Sequence, residues 1–177
     1  MDIERKETLA MERLEQLITR YRQDIMGMII EPLAQLFQGL RLCRPCFIQR
    51  LSTVLTHHKI PLICDENDTG FGRLGSFFAS EACHIQPDII CAGRNATNAT
   101  MPFGIVMLSD TMQQTLNSHP DYNHDTLSYM PHLPAQQACA HTLQLLQQHY
   151  LSRAANIHRI HTRQMYRLKK NLLVQHT

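Results

Sequence analysis

The chain has 177 residues, a formal net charge of +2, and 44% hydrophobic and 18% charged residues. That charge balance excludes the strongly basic surface typical of nucleic-acid-binding domains, and no apolar run approaches the roughly 20 residues needed to span a bilayer. The length is enough for one ordinary hydrophobic core, so we expect a single unit with neither a nucleic-acid nor a membrane partner.

The N-terminal residues, Met1 to Lys6, are mostly charged and are not followed by an apolar stretch. They predict no secretory signal, and we therefore expect a cytoplasmic protein. In that compartment the six cysteines are expected to stay reduced.

The hydrophobic pattern alternates between helical and strand periods along the chain. The first segment is amphipathic, with Leu14, Leu17 and Ile18 three or four residues apart on one side. Helices are predicted over Ala10 to Gln23, Phe47 to His57, Ala135 to Gln148 and Leu151 to Leu173, and strands over Ile25 to Ile30, Pro61 to Cys64, Asp88 to Cys91 and Gly104 to Leu108.

This alternation predicts an α/β fold with a mainly parallel sheet of about four strands and flanking helices. Strands of that kind are hydrophobic on both faces and are normally covered on both. If the chain were an isolated half-domain, an edge and one face of the sheet would be partly bare. We would then expect a bound partner or poor solubility.

The segment from Pro61 to Arg73 carries the strongest functional signal. Asp65 and Glu66 stand at the C-terminal end of its apolar strand, and a glycine-rich turn from Gly70 to Gly75 follows. In open α/β sheets, ligands bind at that end of the strands. We therefore expect a cofactor-binding carboxylate at this position.

The same segment resembles the core of the class III pyridoxal-phosphate-dependent aminotransferases, in which Asp-Glu-x-x-Thr-Gly-Phe-Gly-Arg-x-Gly closes a central strand. The likeness continues over about residues 12 to 170, at Ile29 to Pro32, Leu40 to Pro45, Phe78 to Glu81 and Pro87 to Gly93. Within the family it is greatest to the branch that serves biotin synthesis, and ornithine and GABA aminotransferases are also similar.

The resemblance implies that residues 1–177 form a single partial large domain of a fold type I pyridoxal-phosphate-dependent transferase. By the same resemblance, we expect the N-terminal half of the family's fold and its small C-terminal domain to be absent from this chain. A site built from this chain alone is therefore expected to be open and incomplete.

Site residues also follow from the resemblance, with pyridoxal 5'-phosphate as the expected cofactor. Asp65 matches the aspartate that faces the pyridine nitrogen, because a protonated ring is the electron sink of this chemistry. Glu31, Asp68 and Ser128 are the other expected cofactor contacts. Ser128 precedes Tyr129, which falls where the family has a threonine that binds the cofactor phosphate across the dimer interface.

Arg94 occupies the position of the family's Schiff-base lysine, after the Pro-Asp-x-x-x-x-Gly stretch. A guanidinium stays protonated and cannot form that imine. Lys59 precedes the strand that Asp65 ends, and the other lysines lie on terminal helical segments, at Lys6, Lys169 and Lys170. A truncated and catalytically impaired transaminase is therefore predicted, with no catalytic residue assigned.

Three alternatives remain open. The chain could be a noncatalytic module that forms a homodimer or binds a full-length homologue, or one subunit of a split enzyme that binds a complementary chain. A thiol redox protein is the third, because Cys43 and Cys46 flank Pro45 at the start of a predicted helix. No metal site is expected, and the basic segment from Arg153 to Lys170 is interpreted as a surface helix.

Overall fold

The computed structural model describes residues 3–36, 39–119 and 132–169. The helices are α1 (Ile3–Tyr21), α2 (Pro45–His57), α3 (Ala79–Ala82), α4 (Asp110–Asn117), α5 (Leu133–Leu145) and α6 (Leu151–Lys169). The strands are β1 (Met28–Ile30), β2 (Ala34–Gln35), β3 (Arg41–Leu42), β4 (Leu62–Asp65), β5 (Ile89–Ala92) and β6 (Ile105–Leu108).

Four strands form the main sheet in the order β1-β4-β5-β6. The first three are parallel, and β6 is antiparallel to β5. Parallel neighbours need a crossover, which α2 and α3 provide, whereas only a short 3-10 turn at Arg94–Thr97 separates β5 from β6. The predicted α/β fold and mainly parallel sheet are confirmed.

Some elements differ from the sequence prediction. Helix α1 begins at Ile3 rather than Ala10. The β2–β3 hairpin and α4 were not predicted, because two-residue strands carry no periodic signal and α4 has only eight residues. The sequence signal that could have predicted α4 is the N-cap serine, Ser109. In the structure, its side chain accepts a hydrogen bond from the Met112 backbone N–H at 3.2 Å.

The core lies on one face of this sheet. A first cluster packs the apolar sides of α1 and α2 against β1 and β4 and includes Ile18, Ile48, Leu51, Ile30 and Leu62. A second cluster joins β5 and β6 to α5 and to the segment after β4, and includes Phe71, Phe78, Ala92, Ala96 and Cys139. Ile48 and Cys64 are completely buried.

The other face of the sheet is apolar and partly exposed. Residues paired across neighbouring strands share a face of the sheet. The register places Ile29, Ile63, Ile89 and Leu108 in one row on this face. Cys91 and Val106 form the next row, two residues from Ile89 and Leu108. None of these side chains joins either buried cluster among the described residues. Ile29 is 63% exposed and Val106 is 64% exposed. Among the described residues, this face is therefore partly bare.

Glu7 and Arg44 join α1 to the start of α2. The backbone N–H and Nε of Arg44 donate to the Glu7 carboxylate at 3.0 Å and 2.8 Å, and a second guanidinium nitrogen reaches Glu4 at 2.6 Å. Burial by itself raises the pKa of Glu7, but hydrogen bonds from the side chain and backbone of Arg44 outweigh it and hold that pKa below 4.5.

This network predicts a pH-dependent contribution to stability. Because the folded-state pKa of Glu7 is lowered, its contribution is complete above about pH 4.5 and is lost as the pH falls through the folded value. Glu7→Gln should lower the free energy of unfolding by about 1–3 kcal/mol at pH 7. Urea unfolding from pH 7 to pH 3 should show the difference between variant and wild type shrinking in acid.

Glu12→Gln is the matched control, since Glu12 lies on the same helix with its side chain exposed. It should leave unfolding unchanged within about 0.5 kcal/mol. A constant difference between Glu7→Gln and wild type down to pH 3 would contradict the role given to the Glu7 carboxylate.

Gly93, directly after β5, is enclosed by two neighbouring groups. A Cβ at this position would lie 2.5 Å from Oδ1 of Asn67 and 2.9 Å from the backbone oxygen of Phe103. Real Cβ atoms do not approach oxygen that closely, and the Phe103 oxygen belongs to the backbone. The glycine therefore lets the turn after β5 lie directly against the turn after β4.

Gly93→Ala should destabilise the protein by about 1–3 kcal/mol, because the added methyl group forces the two turns apart. Gly104→Ala is a matched control, since no atom lies within 4 Å of a Cβ built there. It should be neutral or stabilising by up to about 1 kcal/mol. Thermal unfolding followed by circular dichroism distinguishes the two, and equal effects would disprove the close approach.

Candidate functional site

Asp65 is the last residue of β4 and lies at the carboxyl end of the parallel strands, where the sequence places it. Its Oδ1 accepts two hydrogen bonds from Asn67, from the backbone N–H at 3.0 Å and from Nδ2 at 2.7 Å. These bonds fix the orientation of a half-buried carboxylate. The pKa of the Cys91 thiol on the neighbouring strand is raised, mainly by burial and to a smaller degree by the charge of Asp65.

Glu66, the next residue, is completely buried and points elsewhere. Its carboxylate accepts hydrogen bonds from the backbone N–H groups of Ala79 and Ser80 at 3.0 Å and 2.8 Å, and from the Thr69 hydroxyl at 2.5 Å. Sequence reasoning assigned it no role. The available signal was strand alternation, which turns Glu66 away from the face of Asp65.

An open cleft of about 410 Å³ lies beside Asp65. It brings together three of the predicted cofactor-contact residues, Glu31, Asp65 and Asp68, with Arg94. Glu31 is held in place by the Leu36 backbone N–H, which donates to its carboxylate at 2.7 Å. The lining residues are Glu31, Leu36, Asp65, Asn67, Asp68 and Arg94.

Arg94 is the first residue of the 3-10 turn after β5 and reaches across this cleft. Its Nη2 lies 3.2 Å from Oδ2 of Asp68, and its side chain is 64% exposed. A pair exposed to this degree is worth at most about 1 kcal/mol. The guanidinium therefore occupies the site without being essential to the fold.

Asn95 connects the same two turns. Its Nδ2 donates to the backbone oxygen of Asn67 at 2.9 Å, and its Oδ1 accepts from Arg73 at 2.9 Å. With Asn67 already bonded to Asp65, these contacts form a continuous polar chain behind the cleft. This support was not evident from the sequence, because the bonded residues are up to 28 positions apart.

The cleft fits one end of pyridoxal 5'-phosphate but not its covalent attachment. A fixed carboxylate at Asp65 suits a protonated pyridine nitrogen. The amine that an imine requires is missing from the lining residues, where Arg94 is the one cation. Lys59 precedes β4, at the opposite end of that strand from Asp65. Ser128 and Tyr129 lie outside the described residues.

The surroundings of Cys43 do not support the redox interpretation of the cysteine pair. Burial raises the pKa of the Cys43 thiol, whereas a reactive thiol needs a lowered pKa. Cys43 also lies before α2, where the Arg44 side chain contacts Glu4 and Glu7. In the described parts of the chain, no three His, Cys, Asp or Glu side chains are grouped to hold a metal, and no helix is long and apolar enough to cross a membrane.

Known proteins match the chain in sequence. The family described as aminotransferase class III matches residues 2–176. Adenosylmethionine-8-amino-7-oxononanoate aminotransferase from Synechococcus elongatus is 37% identical over 121 residues, which are 68% of this chain and 28% of that protein. Omega-amino acid–pyruvate aminotransferase from Pseudomonas putida is 32% identical over 63% of this chain and 25% of its own length. The chain thus spans about a quarter of the length of these relatives.

Solved structures match the fold. An (S)-enantioselective omega-transaminase from Thermomicrobium roseum superimposes with a TM-score of 0.76 and 29% identity, over 83% of this chain and 33% of that one. An omega-transferase from Vibrio fluvialis gives 0.73 over 95% of this chain and 40% of its own, at 24% identity. The observed fold is therefore part of the fold of pyridoxal-phosphate-dependent transaminases, and the chain belongs to the class III aminotransferase family.

Proposed function

We propose that this chain is a partial, catalytically impaired class III aminotransferase that contacts pyridoxal 5'-phosphate noncovalently and has little or no transaminase activity of its own. The observation that carries the proposal is the guanidinium of Arg94 in the cleft beside Asp65, paired with Asp68. An amine is required at that position, and the side chain present there cannot supply one.

The remaining residues support a cofactor contact at one end. Asn67 holds the Asp65 carboxylate by two hydrogen bonds, and Glu31 and Asp68 line the same cleft. Ser128 stays a predicted contact to the phosphate. When bound, pyridoxal phosphate supplies the electron sink for a substrate carbanion, and Asp65 would orient its ring nitrogen.

The lineage of the chain is proposed from its relatives. The protein from Synechococcus elongatus and a relative from Staphylococcus aureus, 33% identical over 58% of this chain, are both named as aminotransferases of 8-amino-7-oxononanoate. This supports descent from the biotin-synthesis branch of the family. The names describe full-length proteins, and the change at Arg94 separates this chain from their imine chemistry.

An interaction function is the second candidate, as a homodimer, with a full-length homologue or with a complementary chain. The observation that favours it is the apolar sheet face left exposed at Ile29 and Val106. A mainly parallel sheet is normally covered on both faces, so an open one is a surface for association.

The cofactor proposal is tested by restoring the amine. Purified wild-type chain, Arg94→Lys and Arg94→Gln are titrated with pyridoxal phosphate, reduced with borohydride and digested for peptide mass spectrometry. Arg94→Lys should acquire an adduct at position 94, because the adjacent Asp65 cleft is retained. Wild type and Arg94→Gln should acquire no site-specific lysine adduct, and Arg94→Gln controls for loss of the ion pair alone.

Asp65→Asn in the Arg94→Lys background checks the carboxylate. It should reduce the yield of adduct at position 94 by at least about tenfold, because a charge-assisted contact to the ring is lost. A specific lysine adduct in wild type would overturn the proposed impairment. Failure of Arg94→Lys to react would contradict a retained cofactor site.

A further inference from the structure

The turn that carries Arg94 is held in place by its own buried contacts. Ala96 is completely buried and Thr97 is 1% exposed. The backbone oxygen of Arg94 accepts a hydrogen bond from the Ala99 N–H at 2.7 Å, and the Thr97 hydroxyl donates to the Met101 backbone oxygen, also at 2.7 Å. The point from which the Arg94 side chain enters the cleft is therefore fixed.

The Arg94 guanidinium has hydrogen-bonding capacity that the protein does not use. A guanidinium carries five N–H donors in a planar fork and accepts no hydrogen bond. Among the described residues, its side chain makes one hydrogen bond, from Nη2 to Oδ2 of Asp68 at 3.2 Å. Since 64% of this side chain is exposed, the other donors are accessible to a ligand in the cleft. Arg94 therefore offers a permanent positive charge and several free donors.

Asp65 and Arg94 offer opposite chemistry within one cleft. The Asp65 carboxylate is held by Asn67 and suits a protonated ring nitrogen. In pyridoxal phosphate this nitrogen lies opposite C4, which carries the aldehyde, and the neighbouring C3 carries the phenolic oxygen. A ring with its nitrogen at Asp65 therefore turns these two oxygens toward the other residues of the cleft. Arg94 is the one cation among the lining residues.

We propose that Arg94 is a specificity-determining residue of this cleft and selects the aldehyde form of the cofactor, pyridoxal phosphate, over its amine form, pyridoxamine phosphate. The inference rests on the noncovalent contact proposed above and specifies its ligand. Two adjacent, coplanar oxygen acceptors match the planar donor fork of a guanidinium. Pyridoxamine phosphate carries at C4 an aminomethyl group, which is protonated near neutral pH and is repelled by the like charge of Arg94.

The carboxylates of the cleft favour the opposite selection. Glu31 and Asp68 would attract an ammonium group at C4. However, Asp68 is already paired with Arg94, and the Glu31 carboxylate accepts the Leu36 backbone N–H at 2.7 Å. Both carboxylates thus have partners within the protein, whereas most of the Arg94 donors have none among the described residues. The guanidinium therefore has the greater capacity to bind the C4 group.

Direct binding of four ligands that differ only at C4 tests the inference. Pyridoxal phosphate and 4-pyridoxic acid 5'-phosphate carry oxygen acceptors there, 4-deoxypyridoxine 5'-phosphate carries a methyl group, and pyridoxamine phosphate carries the amine. The carboxylate ligand has no reactive aldehyde, so surface lysines cannot capture it. In titration calorimetry, the wild-type full chain should bind both acceptor ligands at least about tenfold more tightly than pyridoxamine phosphate, with the methyl compound between them.

Variants at position 94 identify the group responsible. Arg94→Gln removes the charge and should bring the affinities for the aldehyde and the amine to within about threefold of each other, whereas Arg94→Glu should reverse the preference. Arg13→Gln is the matched control, because Arg13 is an exposed arginine on α1 whose Nη1 donates to Gln16 at 3.5 Å. It should keep the selectivity of wild type, and circular dichroism should show that all three variants keep their helices.

The possible results separate this inference from the proposed function. Equal binding of the four ligands by wild type, or tightest binding of pyridoxamine phosphate, would overturn selection by Arg94 and leave the noncovalent contact intact. Selectivity that survives in Arg94→Gln would belong to another residue and would also overturn the inference. Binding of none of the four ligands would remove the cofactor contact itself, and the selection with it.

Discussion

The buried carboxylate of Glu66 is the interaction on which the site depends. It receives hydrogen bonds from the Thr69 hydroxyl and from the backbone N–H groups at the start of α3, and it is completely shielded from water. A buried carboxyl group is tolerable only when its hydrogen bonds are made, so the segment between β4 and α3 has little freedom to rearrange. Asp65 begins this segment and is fixed with it.

A fixed segment explains how the cleft can keep its shape without support from the side chain at position 94. Asn67 bonds to Asp65 on one side and receives Asn95 on the other, while Gly93 permits the two turns to touch. None of these contacts uses the side chain of Arg94. Its exposed pair with Asp68 adds little, so the chemistry at position 94 can change while the surrounding geometry stays.

The helices pack on one face of the main sheet and leave apolar residues of the other face in contact with solvent. Helices α1, α2 and α5 all pack on the same face, where Ile48 and Cys64 are fully buried, and the opposite face contributes apolar surface to solvent. An exposed apolar face favours association, because removing apolar surface from water lowers the free energy.

The sequence by itself determined the α/β class, the strand that ends at Asp65 and the presence of a guanidinium rather than an amine at position 94, because these follow from local periodicity and from the identity of single side chains. Only the tertiary structure decided that Glu66 is buried, that Arg94 pairs with a residue 26 positions away, and which sheet face stays open. Those features depend on which distant segments meet, and strand alternation alone does not say which of two apolar faces the helices will cover.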